Sequence, residues 1–332
     1  MPTKNNYFNV DQLPRRARHP QDLPLFRRPV RLMTMPVEEQ IGVLRKVGLP
    51  QLASPCHFVE DIIKVEKTLG TVPAIIACQV AVCHESRFNV AAKGLRLFDE
   101  LSGVLSATVR TAGEEGLSLY LFCDPSLIFK DRNGTDLVQG LETFLGNLRA
   151  TDAENRLPVG NCQVNALLMG MLGISLGLQV EEERLISNPN YKYVHSGVQL
   201  ISRTQAFLYQ TIREEGDTEN RALFKSVKPS VPSEEGNLTS GAYSLVATLF
   251  VNKVLRLSWG KNLDGMSRRE KLRLLKILSC AEAINPYNDM IYKLRSKIYA
   301  SLGNLPLAEA NLAWAKAVGK LQVGSHGLPV VS

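Results

Sequence analysis

In the stretch PVGNCQVNALLMGMLGISLGLQV a Gly-Asn pair delivers Cys162 to the first turn of an apolar helix. A thiol at that position favours its anionic form, because free N–H groups and the helix dipole stabilise negative charge. Thirty-three residues later His195 opens the strand-like segment YVHSGVQLI. A cysteine on a helix start and a histidine on a following strand suit thiol acyl transfer. The imidazole takes the thiol proton, and helix-end N–H groups hold the developing oxyanion. Asn161 and Gln163 flank the thiol as further candidate oxyanion donors. The alternative for Cys162 is a small buried residue under a helix start, and for His195 a satisfied structural histidine. A second candidate is Glu85 in CHESRFN, at the end of an apolar helix. An apolar pocket around it would raise its pKa and make it a general acid. The competing reading is a helix-end carboxylate on a solvated face.

The elements that must carry these residues are mostly helical. PVEEQIGVLRKVGL and HFVEDIIKVEKTLG repeat apolar residues at helical spacing and stop at Gly48 and Gly70. VPAIIACQVAVCHESRF is apolar on every side and predicts a buried helix. GLRLFDELSGVLSATVRTAG is amphipathic and ends at Gly113. LSLYLFCDP reads as a strand or a helix end, and DLVQGLETFLGNLRATDAENRLPVG as a helix followed by a polar loop. The Cys162 helix closes at Gly177. YVHSGVQLISRTQAFLYQTI alternates and is rich in β-branched and aromatic residues, which predicts one or two strands. KPSVPSEEGNLTSG is a linker, and the chain is helical again from Ala242.

Composition narrows the function classes. The net charge is +7, but residues 1–31 carry seven Lys/Arg against two Asp, a net +5. The basic character therefore belongs to a Pro-rich arm, not to a nucleic-acid-binding face. That arm either lacks fixed structure or lies across the body using Leu25 and Phe26, and its charge offers a site for an acidic partner. No apolar run reaches the roughly 18 residues of a membrane span, and the N-terminus has no apolar leader region. The six cysteines (Cys56, Cys78, Cys83, Cys123, Cys162 and Cys280) show no paired spacing. Reduced thiols in a cytoplasmic protein with no metal and no cofactor are the expectation. Cys83 and His84 are adjacent and so diverge on a helix.

Two resemblances follow from these strings. ESRFN is similar to the start of the lytic transglycosylase motif, which would make Glu85 the catalytic acid. The likeness stops there, since Val90 replaces the expected Pro and only Gly94-Leu95 is kept beyond it. The second is broader. Over about residues 70–215 and 270–318 the chain resembles the transglutaminase-like superfamily, closest to the bacterial SirB-type family, in which a transglutaminase-like domain precedes tetratricopeptide repeats. ACQVAVCHESRFNVAAKGLRLFDELSGVLSATVR, NLRATDAENRLPVGNCQVNALLMGMLGISLGL and YVHSGVQLI carry that likeness. It places Glu85 and Ser86 at an inter-helix turn. Tyr193-Val194-His195 stands where the family has Pro-Gly-His. The superfamily's third residue, which orients the imidazole about 15 residues after the His, falls on Gln210, with acids only at Glu214, Glu215 and Asp217.

In the tail, NDMIYKLRSKIYASLGNLPLAEANLAWAKAV follows the 34-residue tetratricopeptide template. Ser296 takes the close contact, followed by Tyr299. Leu302-Gly303 makes the turn, and Ala308, Leu312 and Ala315 the packing face. Leu278, Ala281 and Pro286 mark a degenerate repeat before it. The resemblance implies an α+β, mostly helical fold, a papain-like transglutaminase-type core followed by a tetratricopeptide-like helical subdomain. The boundaries are a basic arm (1–36), the transglutaminase-like domain (37–225), a linker (226–241), the helical subdomain (242–320) and a tail (321–332). Two functions stay open. One is a regulatory module that binds a protein partner through its C-terminal helices. The other is a thiol acyltransferase, amidase or protease using Cys162 and His195, with Gln210 in the third position.

Overall fold

A computed structural model describes residues 25, 28, 30–52, 54–112, 135–152, 155–157, 159–185, 195–201, 206–212, 221–227, 241–260 and 263–321. Within them, side chains are described except at 107–112, 162, 181–185, 195–196, 206–212, 221–227, 259–260 and 319–321.

The chain is mostly helical, with ten α-helices and one four-stranded sheet among the described residues. In chain order the helices before the sheet are α1 (Val37–Val47), α2 (Pro55–Leu69), α3 (Thr71–Cys83), α4 (Phe88–Ala112), α5 (Leu137–Arg149) and α6 (Cys162–Ser175). The sheet follows as β1 (Gln179–Leu185), β2 (His195–Ile201), β3 (Ala206–Ile212) and β4 (Arg221–Val227). The last helices are α7 (Ala242–Gly260), α8 (Arg268–Ile284), α9 (Asp289–Ser301) and α10 (Leu305–Leu321).

Local chemistry sets the ends of these helices. Ser54 caps α2 by accepting from His57 N, with Pro55 in the first helical position. Gly70 then turns at φ 92°, which a residue with a Cβ adopts only under strain, and α3 begins at once. Every residue of α3 from Thr71 to Val82 is buried, as its unbroken apolar sequence predicts. Burying each Val or Ile of that helix contributes about 1.5–3 kcal/mol. At α8 a capping box closes the start: Glu270 N donates to Ser267 Oγ while Ser267 N donates to the Glu270 carboxylate.

The sheet is an antiparallel meander in the order β1-β2-β3-β4. The alternating segment around His195 resolves into two strands, β2 and β3. Two further strands, β1 and β4, were not expected. α6 lies across the sheet, chiefly on β2. Gly170 and Gly173 let it come close. A Cβ on Gly173 would sit 2.6 Å from Leu200 Cδ2, and one on Gly170 would sit 3.2 Å from Val180 Cγ1. α7 packs against α3, α6 and β1, and also against α8. Its Phe250 meets Phe58 of α2 with ring centroids 6.2 Å apart. One contiguous apolar core therefore runs from α1 to α10.

α9 and α10 form a tight helical hairpin, joined through Leu302–Asn304 with Gly303 at φ 75°. Ala308 and Ala315 face inward as the spacing predicts, but Leu312 is 44% exposed and lies off the packing face. From the arm, Leu25 is buried in the core. Phe26, the segment LSLYLFCDP with Cys123, Gly113 and linker residues 228–240 lie outside the described residues. The expected start of the linker at residue 226 falls inside β4, which runs to Val227. No described helix is long and apolar enough to cross a membrane.

Candidate functional site

Three interlocking contacts hold the start of α6. Gly160 lies against Val164, where an added Cβ would be 2.8 Å from the Val164 Cβ. Gly140 of α5 admits the same valine from the other side. A Cβ there would sit 2.8 Å from Val164 Cγ1 and 3.2 Å from the Val159 carbonyl oxygen. The approach is pinned by the buried side chain of Asn147, whose Nδ2 donates to Leu157 O at 2.7 Å and whose Oδ1 accepts from Leu157 N at 2.8 Å. A polar loop is thereby fixed by one amide that satisfies both backbone groups of a single residue.

Asn161 is the N-cap. Its Oδ1 accepts from Gln163 N at 3.1 Å and from Val164 N at 3.0 Å. Two of the helix-end N–H groups that an oxyanion would use are thus already engaged. Asn161 and Gln163 are both buried. One turn in, Asn165 is fully buried; its Nδ2 donates to Gly160 O at 3.3 Å while its Oδ1 has no partner among the described residues.

Cys162 is the first residue of α6, His195 the first of β2, and Gln210 lies within β3, paired with Gly197. Their side chains lie outside the described residues. α6 packs chiefly on β2, the strand that His195 opens. A Cβ on Gly170 would sit 3.2 Å from Val180 Cγ1 of β1 and 3.7 Å from Val198 Cγ2 of β2, and one on Gly173 would meet Leu200. His195 pairs with Leu185 at the end of the β1–β2 ladder. The β2 positions that meet α6 are the even-numbered Val198 and Leu200. His195 belongs to the other register set, with Gly197 and Gln199.

Glu85 lies in the turn between α3 and α4. It and Ser86 hold positive φ, 53° and 59°. Ser86 Oγ donates to Pro50 O at 2.8 Å, which helps hold the turn. The Glu85 side chain is 63% exposed and its Oε1 is 2.9 Å from Arg273 Nη2. It has no apolar enclosure of the kind a protonated catalytic carboxyl needs.

A neighbouring polar cluster carries no signal in the local spacing. His84 Nε2 stands 2.7 Å from Asp136 Oδ2, while Asp136 Oδ1 caps α5 through Val138 N and Gln139 N. Cys83 accepts from Gln79 Nε2 at 2.8 Å. Burial pushes the Cys83 thiol up despite the nearby Lys253 ammonium, so it stays protonated. Burial does the same to Cys78, and it pushes Cys280 up to about 12. The pairing of His84 with Asp136 spans α3 and α5, and no local spacing announces it. Among the described residues no group of three or more His, Cys, Asp or Glu is placed to hold a metal ion. No known family, curated protein or solved structure matches this chain.

Proposed function

We propose that this protein is a transglutaminase-like scaffold of the SirB type that works as a protein-interaction module, with its C-terminal, tetratricopeptide-like helices as the binding element. The observation that carries this reading is on α10. Leu305, Leu307 and Leu312 are 61%, 39% and 44% exposed on the final helix, while Ala308, Ala315 and Val318 fill its inner face. Scattered surface leucines are ordinary, but Leu305 and Leu312, seven residues apart, share one face of the helix and form an exposed apolar pair suited to a partner, while Leu307 lies on another side. The papain-like core is supported by a buried helix that begins with a cysteine and lies on an antiparallel sheet.

A second reading keeps the chemistry. A cysteine at the start of α6 and a histidine at the start of β2, the strand on which α6 chiefly packs, favour it. The Cys162 sulfur would attack an amide carbonyl, His195 would take the thiol proton and return it to the leaving amine, and water or another amine would release the acyl group. One observation favours the scaffold instead: Asn161 occupies the N–H groups that would serve the oxyanion.

Mass-resolved iodoacetamide labelling of the native chain separates the two, with exposed Cys56 as the internal reference. The scaffold reading expects Cys162 to label no faster than Cys56 at pH 6, and His195→Ala to leave the rate unchanged. Rapid labelling at pH 6 that is lost in His195→Ala overturns it in favour of the enzyme. The joint change Leu305→Glu and Leu312→Glu should abolish crosslinking to the cellular partner without moving the unfolding midpoint.

A further inference from the structure

Glu66 of α2 is a carboxylate buried to 1% exposure, and its counter-charge comes from the arm. Arg28 Nε lies 2.6 Å from Glu66 Oε2. The other oxygen, Oε1, accepts from Tyr243 OH at 3.0 Å and from Thr71 Oγ1 at 3.3 Å. The chain then crosses the α2–α3 turn as a strap. Arg31 N donates to Thr71 Oγ1 at 2.8 Å, and Thr71 N donates to Arg31 O at 2.9 Å. Gly70 is required beneath it, because a Cβ there would sit 2.8 Å from Arg31 O. Leu25 completes the anchor in the apolar core.

The contacts continue beyond Tyr243. The next residue, Ser244, is fully buried at the start of α7 and accepts from Asn285 Nδ2 at 2.7 Å. Asn285 caps the end of α8 and accepts from Tyr287 N at 3.0 Å, in the turn that leads into α9. Arm, α2, α7 and the α8–α9 junction are thus linked by buried polar groups with no solvent-exposed step.

A strap held by an ion pair differs from one held by apolar packing alone. Withdrawing two charges from water costs nearly as much as their attraction returns, so releasing both together is cheap. Removing only one of them leaves the other stranded at a high cost. Such a strap is suited to two states, seated with Arg28 on Glu66 as observed, or free with both charges hydrated. Only the seated state holds Glu66 as a fixed acceptor for Tyr243. Burial keeps the Tyr243 phenol protonated and able to donate.

We propose that Leu25, Arg28 and residues 30–33 of the arm form a releasable latch whose seating on Glu66 governs the order of the α8–α9 junction through Tyr243 and α7. The proposal is independent of the partner-binding reading, since its test needs no partner. Hydrogen exchange measured by mass spectrometry on the full chain tests it. Arg28→Met keeps the apolar stem and removes the charge. It should speed exchange about tenfold at Arg31 and Thr71 and also at Asn285, Tyr287 and Ile291, and leave α5 unchanged. Tyr243→Phe should leave the strap protected and loosen only the junction. Combining the two should add nothing further at the junction. An unchanged junction in Arg28→Met, or full additivity in the combined variant, overturns the proposal. If Arg28→Met unfolds every helix, Tyr243→Phe alone decides, and unchanged exchange at Asn285 and Tyr287 overturns it.

Discussion

Two glycines of α5 should respond to the same substitution with opposite signs. Gly146 has nothing within 4 Å of where a Cβ would go. Gly146→Ala therefore collects the helix-propensity difference, a gain of about 0.5–1 kcal/mol. Gly140→Ala has the same gain, but its methyl meets Val164 Cγ1 at 2.8 Å and the Val159 carbonyl at 3.2 Å. A β-branched side chain and a backbone oxygen yield little, so overpacking of about 1–3 kcal/mol outweighs the gain. The net is a loss of about 0.5–2 kcal/mol, and the two variants differ by about 1–3 kcal/mol. With a urea m-value of about 3 kcal/mol/M their midpoints separate by about 0.3–1 M, Gly146→Ala above wild type and Gly140→Ala below it. Because Gly140 seats the valine two residues past Cys162, the rate of Cys162 alkylation should change in Gly140→Ala and not in Gly146→Ala. A Gly140→Ala midpoint equal to or above that of Gly146→Ala would refute the tight seating of the α6 start.

Two further outcomes follow from buried polar groups. Asn147→Ala strips both partners from Leu157, so it should cost about 1–3 kcal/mol in a urea titration and open the 155–157 loop to limited proteolysis. Unchanged cleavage there would show that the amide does not hold the loop. Stability should fall as the pH rises from about 9 towards 12. The folded chain keeps the Cys280 proton up to about 12, while the unfolded chain releases it near 9. Between those values the unfolded state binds fewer protons, so stability is full below 9 and is lost through the window, by about 1.4 kcal/mol per pH unit for one group. Cys78, Cys83 and Tyr243 are pushed the same way by burial and add to the slope. Cys280→Ala should flatten the fall in urea midpoint between pH 9 and 11, and an unchanged slope would count against burial as its cause.

Local chemistry made some of this structure legible and tertiary pairing hid the rest. α3 could be read because an unbroken apolar sequence has only one place to go. The α6 start could be read because Gly and Asn are the residues that a close approach and a cap require. β1 could not. Its sequence QVEEERL carries three consecutive glutamates, which read as a solvated charge run. Among the described strands it lies at the edge, where charge is tolerated. Leu312 fitted the repeat template and yet faces outward, since a template fixes spacing but not which neighbour is present to cover a face. Arg28 and Glu66 are 38 residues apart. The sequence offered Leu25 as an anchor and counted Arg28 only as surface charge, because nothing local marks which arginine is taken into the interior.

Capping and catalysis compete for the same atoms at the start of α6, and that competition bears on what Cys162 does. A helix beginning in the interior must satisfy its first N–H groups, since an orphaned buried donor costs about 1–3 kcal/mol. Asn161 does so with one oxygen shared between Gln163 N and Val164 N. A catalytic helix start leaves such donors free for the reacting carbonyl and recovers their cost only when substrate binds. Here stability takes the two donors at N2 and N3, and an oxyanion would be left with the Cys162 N–H and a side-chain donor such as Gln163. If Asn161→Gly freed those donors it would cost only a few tenths of a kcal/mol as a cap. A gain in Cys162 acyl transfer in that variant would mark the cap as a block placed on a working site. No gain would place the cysteine with the buried residues around it.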